Sequence, residues 1–218
     1  MGMKVDLKGD VWESLFPHAF TLMNEVRVHG GVEPFWTFGG GTVLMLRYQH
    51  RFSRDIDLFV PDPQYLGFFT PRLSGIAESI APDYVEQANF VKLVLDVGEI
   101  DVVASSNLTE NPYEVWEIMG RPVNVETAAE IVAKKLYHRG YAGTARDLFD
   151  LAMVIEAEPE ALRSASRFLT KHADVFVSKV KSRPELMQEQ FARIARLNCQ
   201  LSYEECVELA EAFLADLK

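Results

Sequence analysis

Residues 38–60 decide the fold, and they read FGGGTVLMLRYQHRFSRDIDLFV. The aromatic run Phe35–Phe38 predicts a short strand that stops at the glycines, and a helix is expected to begin at Thr42. Ile56–Val60 is a short apolar run, which is typical of a second, buried strand. This stretch therefore predicts a strand, a glycine-rich turn, a helix and another strand in close succession.

Two carboxylates, Asp55 and Asp57, stand two residues apart at the second strand. Side chains at i and i+2 of a strand point the same way, so these two are expected to project together from one face. Paired acids that cannot neutralise each other favour a cation between them, and oxygen ligands suit Mg²⁺. The glycines let backbone N–H groups approach an anion, and the helix start adds the positive end of its dipole. Together these features are what a nucleoside triphosphate (NTP) site needs.

A third carboxylate is usually required to hold a second metal ion and to help deprotonate an attacking hydroxyl. Asp101 is the candidate, because it lies in an apolar run where a lone acid would be costly without a partner. Asp96 and Glu99 lie nearby, but they are close to a turn and are expected to be exposed. The competing interpretation is that the glycines only form a turn and the Asp pair arises by chance. The stretch is not a Walker A loop, because no Gly-Lys-Ser/Thr follows.

Outside this stretch the first half is mixed α/β. Helical spacing of apolar residues from Trp12 to Val26 predicts a first helix that ends near Gly30–Gly31, with a capping box of Asp10 and Glu13 at its start. The later elements expected are a helix over Leu73–Ile80, a hairpin of Phe90–Val97 and Glu99–Ala104, and a short strand over Arg121–Val125.

The second half is helical. Thr127 with Glu130, and Ser202 with Glu205, are capping-box patterns, and helical periodicity between them continues to the last residue. Breaks are expected near Gly140–Gly143, at Pro159 and at Pro184. We therefore predict an α+β protein, in which residues 1–125 form an α/β core with a small mixed sheet flanked by helices. Residues 126–218 are expected to form a helical region, which, by the family resemblance described below, completes the active site.

The composition limits the classes of function. The chain has 218 residues and a formal charge of −10. Residues 55–120 hold twelve acids and only two bases, Arg72 and Lys92, so the acidity is concentrated in the middle of the chain. This balance argues against a protein that coats nucleic acid or an anionic membrane with its whole surface. No apolar run is long enough to span a bilayer, and two cysteines cannot make a disulfide framework, so a reduced, cytoplasmic location is expected.

The motifs also carry a family resemblance. Gly40-Gly41-Thr42, followed by residues 51–58 (RFSRDIDL), closely resembles the nucleotidyltransferase-like AbiEii/AbiGii toxin family of the DNA-polymerase-β-type nucleotidyltransferase superfamily. The likeness recurs at residues 130–137 (EIVAKKLY), at Arg139 and at residues 145–151 (ARDLFDL), which resemble the lysine-bearing helix of the family and its following Arg-Asp-x-x-Asp-Leu helix. The resemblance implies a polymerase-β-like core and transfer of a nucleoside monophosphate (NMP) from an NTP, with release of pyrophosphate.

The resemblance also implies a set of site residues. The expected Mg²⁺ ligands, with two ions during catalysis, are Asp55, Asp57 and Asp101. The expected phosphate-binding residues are Gly40, Gly41 and Thr42. Lys135 is expected to contact the triphosphate, with Lys134 as the competing assignment, and Asp147 is expected to orient Lys135 or an arginine. Arg51 or Arg54 could neutralise phosphate charge, or each could be the salt-bridge partner of an Asp.

A basic stretch at residues 163–183 suggests an acceptor. It holds Arg163, Arg167, Lys171, Lys179, Lys181 and Arg183 against Asp174 alone. These bases could bind the phosphates of an RNA, or they could simply form a solvated helix face. Aromatic residues are few there, so base stacking has little support from sequence.

Three functions follow from these patterns. The leading one is a nucleotidyltransferase toxin of a toxin–antitoxin or phage-defence pair, with a tRNA or other RNA as acceptor and a cognate antitoxin as partner. The second keeps the chemistry but transfers NMP to a small molecule such as an aminoglycoside, which the acidic region would suit, or to a protein hydroxyl. The third is a non-catalytic nucleotide-binding module, against which the intact Asp55, Asp57 and Asp101 argue.

Overall fold

The computed structural model describes residues 11–182 and 184–218, so the capping residue Asp10 lies outside the described part. The described residues form two compact units. The first contains the residues up to Leu46, then Ser53–Asn107 and Tyr113–Glu126. The second contains Arg47–Phe52, Leu108–Pro112 and Thr127–Lys218.

The first unit is built on one mixed sheet of seven strands in its described residues. In chain order the strands are β1 (Thr37–Gly39), β2 (Ile56–Val60), β3 (Asp83–Gln87), β4 (Phe90–Leu95), β5 (Gly98–Ala104), β6 (Tyr113–Ile118) and β7 (Arg121–Glu126). Their order across the sheet is β3-β4-β5-β2-β1-β7-β6. The pairs β2–β5 and β1–β7 are parallel and the others are antiparallel. The central strand is therefore β2, which carries Asp57 of the sequence motif and directly follows Asp55.

Four helices accompany the sheet: α1 (Val11–Gly30), α2 (Gly40–Tyr48), α3 (Leu66–Phe69) and α4 (Gly75–Ile80). Helix α1 contacts β2 and β5, whose core-facing side chains alternate with partly exposed ones along each strand. Trp12 and Phe16 of α1 pack on Phe38 of β1, with ring centroids 6.2 and 4.9 Å apart. Since strand side chains alternate between the two faces, the residues between these core positions point away from α1.

The second unit is helical. Its helices are α5 (Ala128–Arg139), α6 (Ala145–Ala157), α7 (Pro159–Ser164), α8 (Ser166–Leu169), α9 (Ala173–Ser182), α10 (Pro184–Ala192) and α11 (Tyr203–Asp216). Helices α6 and α11 both begin with a complete capping box, at Thr144 with Asp147 and at Ser202 with Glu205. The core of the unit includes Phe149 of α6, which makes an edge contact with Phe191 of α10.

The predicted α+β fold is confirmed. Strand β2, the hairpin of β4 and β5, strand β7 and the breaks near Gly140, Pro159 and Pro184 agree with the sequence. Three short elements were missed: β3, β6 and α3. The first strand is Thr37–Gly39 rather than Phe35–Phe38, and the helix after it begins at Gly40 rather than Thr42. Helix α4 begins at Gly75 rather than Leu73, because Ser74 caps it.

The capping box predicted at Thr127 is only half formed. The Thr127 hydroxyl accepts a hydrogen bond from the N–H of Glu130, as predicted. The Glu130 carboxylate, however, accepts from the N–H groups of Leu108 and Thr109, at 2.9 and 2.8 Å. A tertiary contact therefore replaces the local one, and it joins α5 to the segment Leu108–Pro112 within the same unit.

Two expectations from composition can be compared directly with the structure. Among the described residues, none of the helices is both long enough and apolar enough to cross a bilayer. Cys199 and Cys206 are free thiols, and burial raises the pKa of Cys206 to about 12. A thiol with such a pKa is not ionised at neutral pH and is a poor nucleophile.

Candidate active site

The carboxylates Asp57 and Asp101 lie side by side on the sheet. Asp57 of β2 and Asp101 of β5 are direct partners in the parallel register of these strands. Both side chains are partly exposed, whereas their strand neighbours Ile56, Leu58 and Ile100 are buried on the face that meets α1. The two acids therefore point away from α1, and they form the centre of what we call the acidic face of the sheet.

The carboxylates of Asp57 and Asp101 repel each other on this face. Burial and the nearby charge of Asp57 raise the pKa of Asp101 to about 7, although Lys92 acts in the opposite direction. A carboxyl group with such a pKa has a proton to exchange near neutral pH. It also gains more from a bound cation than an exposed carboxylate would, because a cation offsets the repulsion between the two acids.

Asp55 lies just before β2 rather than on it. Its Oδ1 accepts a hydrogen bond of 3.0 Å from the backbone N–H of Glu99, at the start of β5. Residues 11–182 and 184–218 contain no group of three or more Asp, Glu, His or Cys side chains placed so that they could hold a metal ion. The geometry thus aligns Asp57 with Asp101, and it ties Asp55 to the backbone at the start of β5.

The first two glycines of the motif are required by the side chains that approach them. Gly39 is the last residue of β1, and a Cβ there would overlap with the carboxylate of Glu126. Gly40 has a φ of +72°, and a Cβ there would overlap with Oδ2 of Asp57. Gly39 therefore ends the strand, whereas Gly40 gives the acidic face its room and begins helix α2.

Replacing Gly40 by Ala should destabilise the protein by about 3 kcal/mol, because it combines a positive φ with a forced displacement of Asp57. The matched control is Gly120→Ala, since Gly120 has a φ of +75° and no atom lies within 4 Å of its added Cβ. The control should lose only about 1 kcal/mol, from backbone strain. Urea unfolding of the two variants measures the difference, and equal losses would show that Asp57 does not crowd Gly40.

The Thr42 hydroxyl is used inside the fold. It donates to the carbonyl oxygen of Asp55 and lies 3.0 Å from Oγ of Ser53, and the residue is fully buried. The hydroxyl thus links helix α2 to the segment before β2. The first N–H groups of the helix, by contrast, have no hydrogen-bond partners within the helix itself. Arg54 is exposed, next to Asp55 in the chain.

A second cluster lies within the helical unit and centres on Asp150 of α6, which is fully buried. Arg51 donates to both oxygens of Asp150, from Nε at 2.6 Å and from Nη2 at 2.9 Å. Lys135 of α5 also donates to it, and Nε2 of His50 lies 2.8 Å from its Oδ1. Arg51 is therefore the salt-bridge partner of a buried acid, which is one of the two roles that the sequence left open for it.

Asp147 extends this cluster towards the surface. Nζ of Lys135 lies 3.2 Å from its Oδ1, and Arg139 donates to the same oxygen at 2.7 Å. Lys134 is buried in a different place and lies 3.5 Å from Oε1 of Glu130. Of the two lysines left open by the sequence, Lys135 is thus the one that lies beside Asp147, with its side chain 11% exposed.

The buried acids make stability depend on pH in a defined direction. Burial alone would raise the pKa of Asp150, but the charges of Lys135 and Arg51, with hydrogen bonds from His50 and Arg51, hold that pKa well below its usual range. A lowered pKa stabilises the fold above the unfolded-state pKa of about 3.9, and this stabilisation is lost as the pH falls through the folded-state value.

Acid should therefore unfold the protein partly through Asp150. From about pH 5 to about pH 2, the melting temperature of the wild type is expected to fall more steeply than that of Asp150→Asn. Differential scanning calorimetry across this range measures both slopes. Parallel slopes would mean that Asp150 is not ionised in the folded protein.

Comparison with known proteins identifies the family. The model of the family described as nucleotidyl transferase AbiEii toxin, type IV TA system, matches residues 21–215. The chain belongs to the AbiEii toxin family. It is thus a nucleotidyltransferase, and its substrate is an NTP. None of the curated protein sequences matches the chain.

Two solved structures from Helicobacter pylori are similar to this AbiEii protein. The crystal structure of a nucleotidyltransferase candidate from H. pylori is 16% identical, with a TM-score of 0.48, and the match covers 96% of this chain and 95% of that one. The crystal structure of JHP933 from Helicobacter pylori is 18% identical, with a TM-score of 0.47, covering 94% and 90% of the two chains.

Sequence reasoning missed two polar groups next to the predicted site residues of this AbiEii protein. Asp150 stands in the quoted ARDLFDL stretch, but only the packing of α5 against α6 shows that it holds Lys135. Lys92 of β4 contacts Glu99 and lies 3.5 Å from Oδ2 of Asp101. Burial would lower the pKa of Lys92, but these two acids raise it overall. The sequence predicted the hairpin but not the register that places Lys92 opposite Asp101.

Proposed function

We propose that this AbiEii protein transfers an NMP from an NTP to an RNA, with Mg²⁺ held by Asp57, Asp101 and Asp55. The observation that carries the proposal is the register of β2 and β5, which aligns Asp57 with Asp101. Both acids point away from the hydrophobic core, and the raised pKa of Asp101 indicates a cation-seeking pair. Oxygen-only donors suit Mg²⁺, so the residues fit the ion that the reaction needs.

The transfer reaction would need a bound metal ion and one carboxylate that accepts a proton. A bound Mg²⁺ would neutralise phosphate charge and make the acceptor hydroxyl easier to deprotonate. Asp101 would accept the proton of that hydroxyl at a carboxylate oxygen. The acceptor oxygen forms the new bond to the α-phosphorus, the bond to the bridging oxygen breaks, and pyrophosphate leaves.

The phosphates would be held by backbone and by a lysine. Gly40, Gly41 and Thr42 offer the first N–H groups of helix α2, which carry the positive end of its dipole. Thr42 would act through its N–H, because its hydroxyl donates to Asp55. Lys135 would contact the triphosphate, oriented by Asp147 and Asp150, and the exposed Arg54 would add positive charge.

The basic stretch supports an RNA acceptor through two of its members. Arg163 pairs with Asp216, and Lys181 pairs with Glu211, so these charges are neutralised locally; Arg183 lies outside the described residues. Arg167 lies 4.3 Å from the ring centroid of Phe168, and Nζ of Lys171 lies 3.7 Å from that of Tyr137.

These two cations and two rings form what we call the aromatic–cation face. Within the described part of the chain, neither Arg167 nor Lys171 forms an ion pair with a carboxylate. The edge of the Phe168 ring also meets Tyr137, with centroids 5.7 Å apart. Cations beside aromatic rings are the combination that binds single-stranded nucleic acid.

The double variant Arg167→Ala/Lys171→Ala should bind RNA several-fold more weakly and lower the slope of log affinity against log salt by about 1.5. The control is Arg163→Ala/Lys181→Ala, which removes the same charge from the same stretch but takes it from ion pairs. Filter binding of labelled tRNA at several salt concentrations measures both slopes. Equal effects of the two double variants would leave only a general charge effect and would contradict a local RNA surface.

Family membership also implies a cognate antitoxin. We infer that its gene neighbours the gene of this protein, and that co-expression of the neighbour restores growth of cells that produce the toxin. If a neighbouring transcriptional-regulator-like gene does not restore growth, the toxin–antitoxin pairing proposed here is contradicted.

The acceptor can be identified in one assay. Purified protein is incubated with Mg²⁺, each α-labelled NTP in turn, and total RNA, and the products are separated before and after RNase treatment. The proposal expects RNase-sensitive label. Label that resists RNase but is lost with protease would instead indicate a protein acceptor, and label in the low-molecular-weight fraction of an aminoglycoside-supplemented reaction would indicate a small-molecule acceptor.

A further inference from the structure

A basic side chain lies among the acids of the acidic face. Lys92 of β4 is the direct partner of Asp101 in the antiparallel register of β4 and β5. Cross-strand partners share a face of the sheet, so Lys92 points the same way as Asp101 and Asp57. Lys92 is one of only two bases among residues 55–120, against twelve acids.

The ammonium group of Lys92 is held by two carboxylates at once. It donates a hydrogen bond to Glu99 and lies 3.5 Å from Oδ2 of Asp101. Its side chain is 28% exposed, and those of Glu99 and Asp101 are 36% and 19% exposed. At this depth a charge pair is screened less than at a fully exposed surface. Glu99 lies at the strand position two residues before Asp101, so Lys92 can keep one acid partner if it leaves the other.

The carboxylate that Lys92 approaches is one of the proposed metal ligands. Asp101 is a proposed Mg²⁺ ligand, and a divalent cation on its carboxylate would repel the ammonium group beside it. The ammonium group and the metal ion cannot both pair fully with the Asp101 carboxylate. In the metal-free chain, Lys92 is the cation that pairs with Asp101.

We propose that Lys92 is a built-in cation that competes with divalent metal for Asp101 and so sets the metal affinity of the acidic face. This inference rests on the proposed function in taking Asp57 and Asp101 as metal ligands. When a metal ion binds, Lys92 keeps Glu99 as its partner and gives up Asp101. The metal-free protein therefore binds divalent ions weakly, and the phosphates of an incoming NTP supply the additional ligands for tight binding.

The test measures metal binding without any reaction. Mn²⁺ is titrated into metal-free protein in the absence of NTP, and the free ion is counted by electron paramagnetic resonance. Lys92→Met is expected to lower the Kd for Mn²⁺ about tenfold, which corresponds to about 1.4 kcal/mol. Lys92→Arg keeps the positive charge and should bind no more tightly than wild type. If Lys92→Met does not fold by circular dichroism, Lys92→Gln replaces it with the same expectation.

The matched control is Arg72→Met. Arg72 is the other base of the acidic region and pairs with Glu86 on β3, at 2.8 Å. Its loss changes the net charge by the same amount and so controls for net charge alone, and the Kd should change less than twofold. An unchanged Kd for Lys92→Met, an equal gain for Arg72→Met, a gain for Lys92→Arg, or no measurable Mn²⁺ binding by any variant would each overturn the inference.

The outcome is separable from that of the transfer reaction. If Lys92→Met binds Mn²⁺ more tightly but the protein transfers no NMP, the proposed function fails and the competition stands. If NMP is transferred but the Kd of Lys92→Met equals that of wild type, the proposed function stands and the competition fails.

Discussion

Asp57→Asn is expected to lower the rate of NMP transfer at least about a thousandfold, or about 4 kcal/mol of transition-state stabilisation. Asp57 lies beside Asp101, and its carboxylate occupies the space that a side chain at Gly40 would need. An amide in its place is neutral and coordinates Mg²⁺ weakly. Single-turnover transfer from an α-labelled NTP measures the rate.

The loss of transfer activity in Asp57→Asn should not result from unfolding of the variant. Asn keeps the size of the Asp57 side chain and removes the charge that repels Asp101, so the metal-free variant should stay folded, with a melting temperature close to that of wild type. The matched control is Asp96→Asn, which removes one charge from an exposed acid near the turn between β4 and β5 and should leave the rate within about twofold. A variant Asp57→Asn with more than a tenth of wild-type activity would contradict the assignment.

Asp150→Ala should produce the largest change in stability, a loss of about 3–5 kcal/mol in the free energy of unfolding. Truncation leaves Arg51 and Lys135 buried without their shared carboxylate, and it removes the partner of His50. Removing one member of a buried charge cluster is costly because the remaining charges stay desolvated. Urea unfolding measures the loss.

A surface ion pair provides the comparison. Asp174 pairs with Lys218, and both side chains are largely exposed, so Asp174→Ala should change the stability little. If the two Asp→Ala variants were destabilised equally, the cluster around Asp150 would contribute no more than an exposed pair. The central role of Asp150 in the helical unit would then be contradicted.

Much of the fold could be predicted from the sequence because its signals are local. The run Ile56–Val60 marks β2, and the capping pattern at Ser202 with Glu205 marks the start of α11. Strand β3 was missed because all five of its residues, Asp83–Gln87, are exposed, so there is no apolar alternation to detect. Strand β6 was missed because Glu114, Val115 and Glu117 are exposed and leave only a weak apolar face.

The site was predictable only as far as its chemistry depends on spacing. The two-residue spacing of Asp55 and Asp57 and the strand context of Asp101 are visible in the chain, and their catalytic roles stay predictions. Spacing could not show that Arg51 serves Asp150, because these residues are 99 positions apart in the sequence. The cross-strand register that brings Lys92 to Asp101 required the paired strands themselves.

The most direct test of the central claim follows the α-phosphate and the γ-phosphate of the NTP separately. Wild-type protein is incubated with Mg²⁺ and RNA, with the label at the α-phosphate in one reaction and at the γ-phosphate in the other. Nucleotidyl transfer predicts that the α label appears in the RNA, that the γ label appears in pyrophosphate, and that a chelator abolishes both. Transfer of the γ label to the acceptor, or no transfer of the α label from any of the NTPs, would contradict the account.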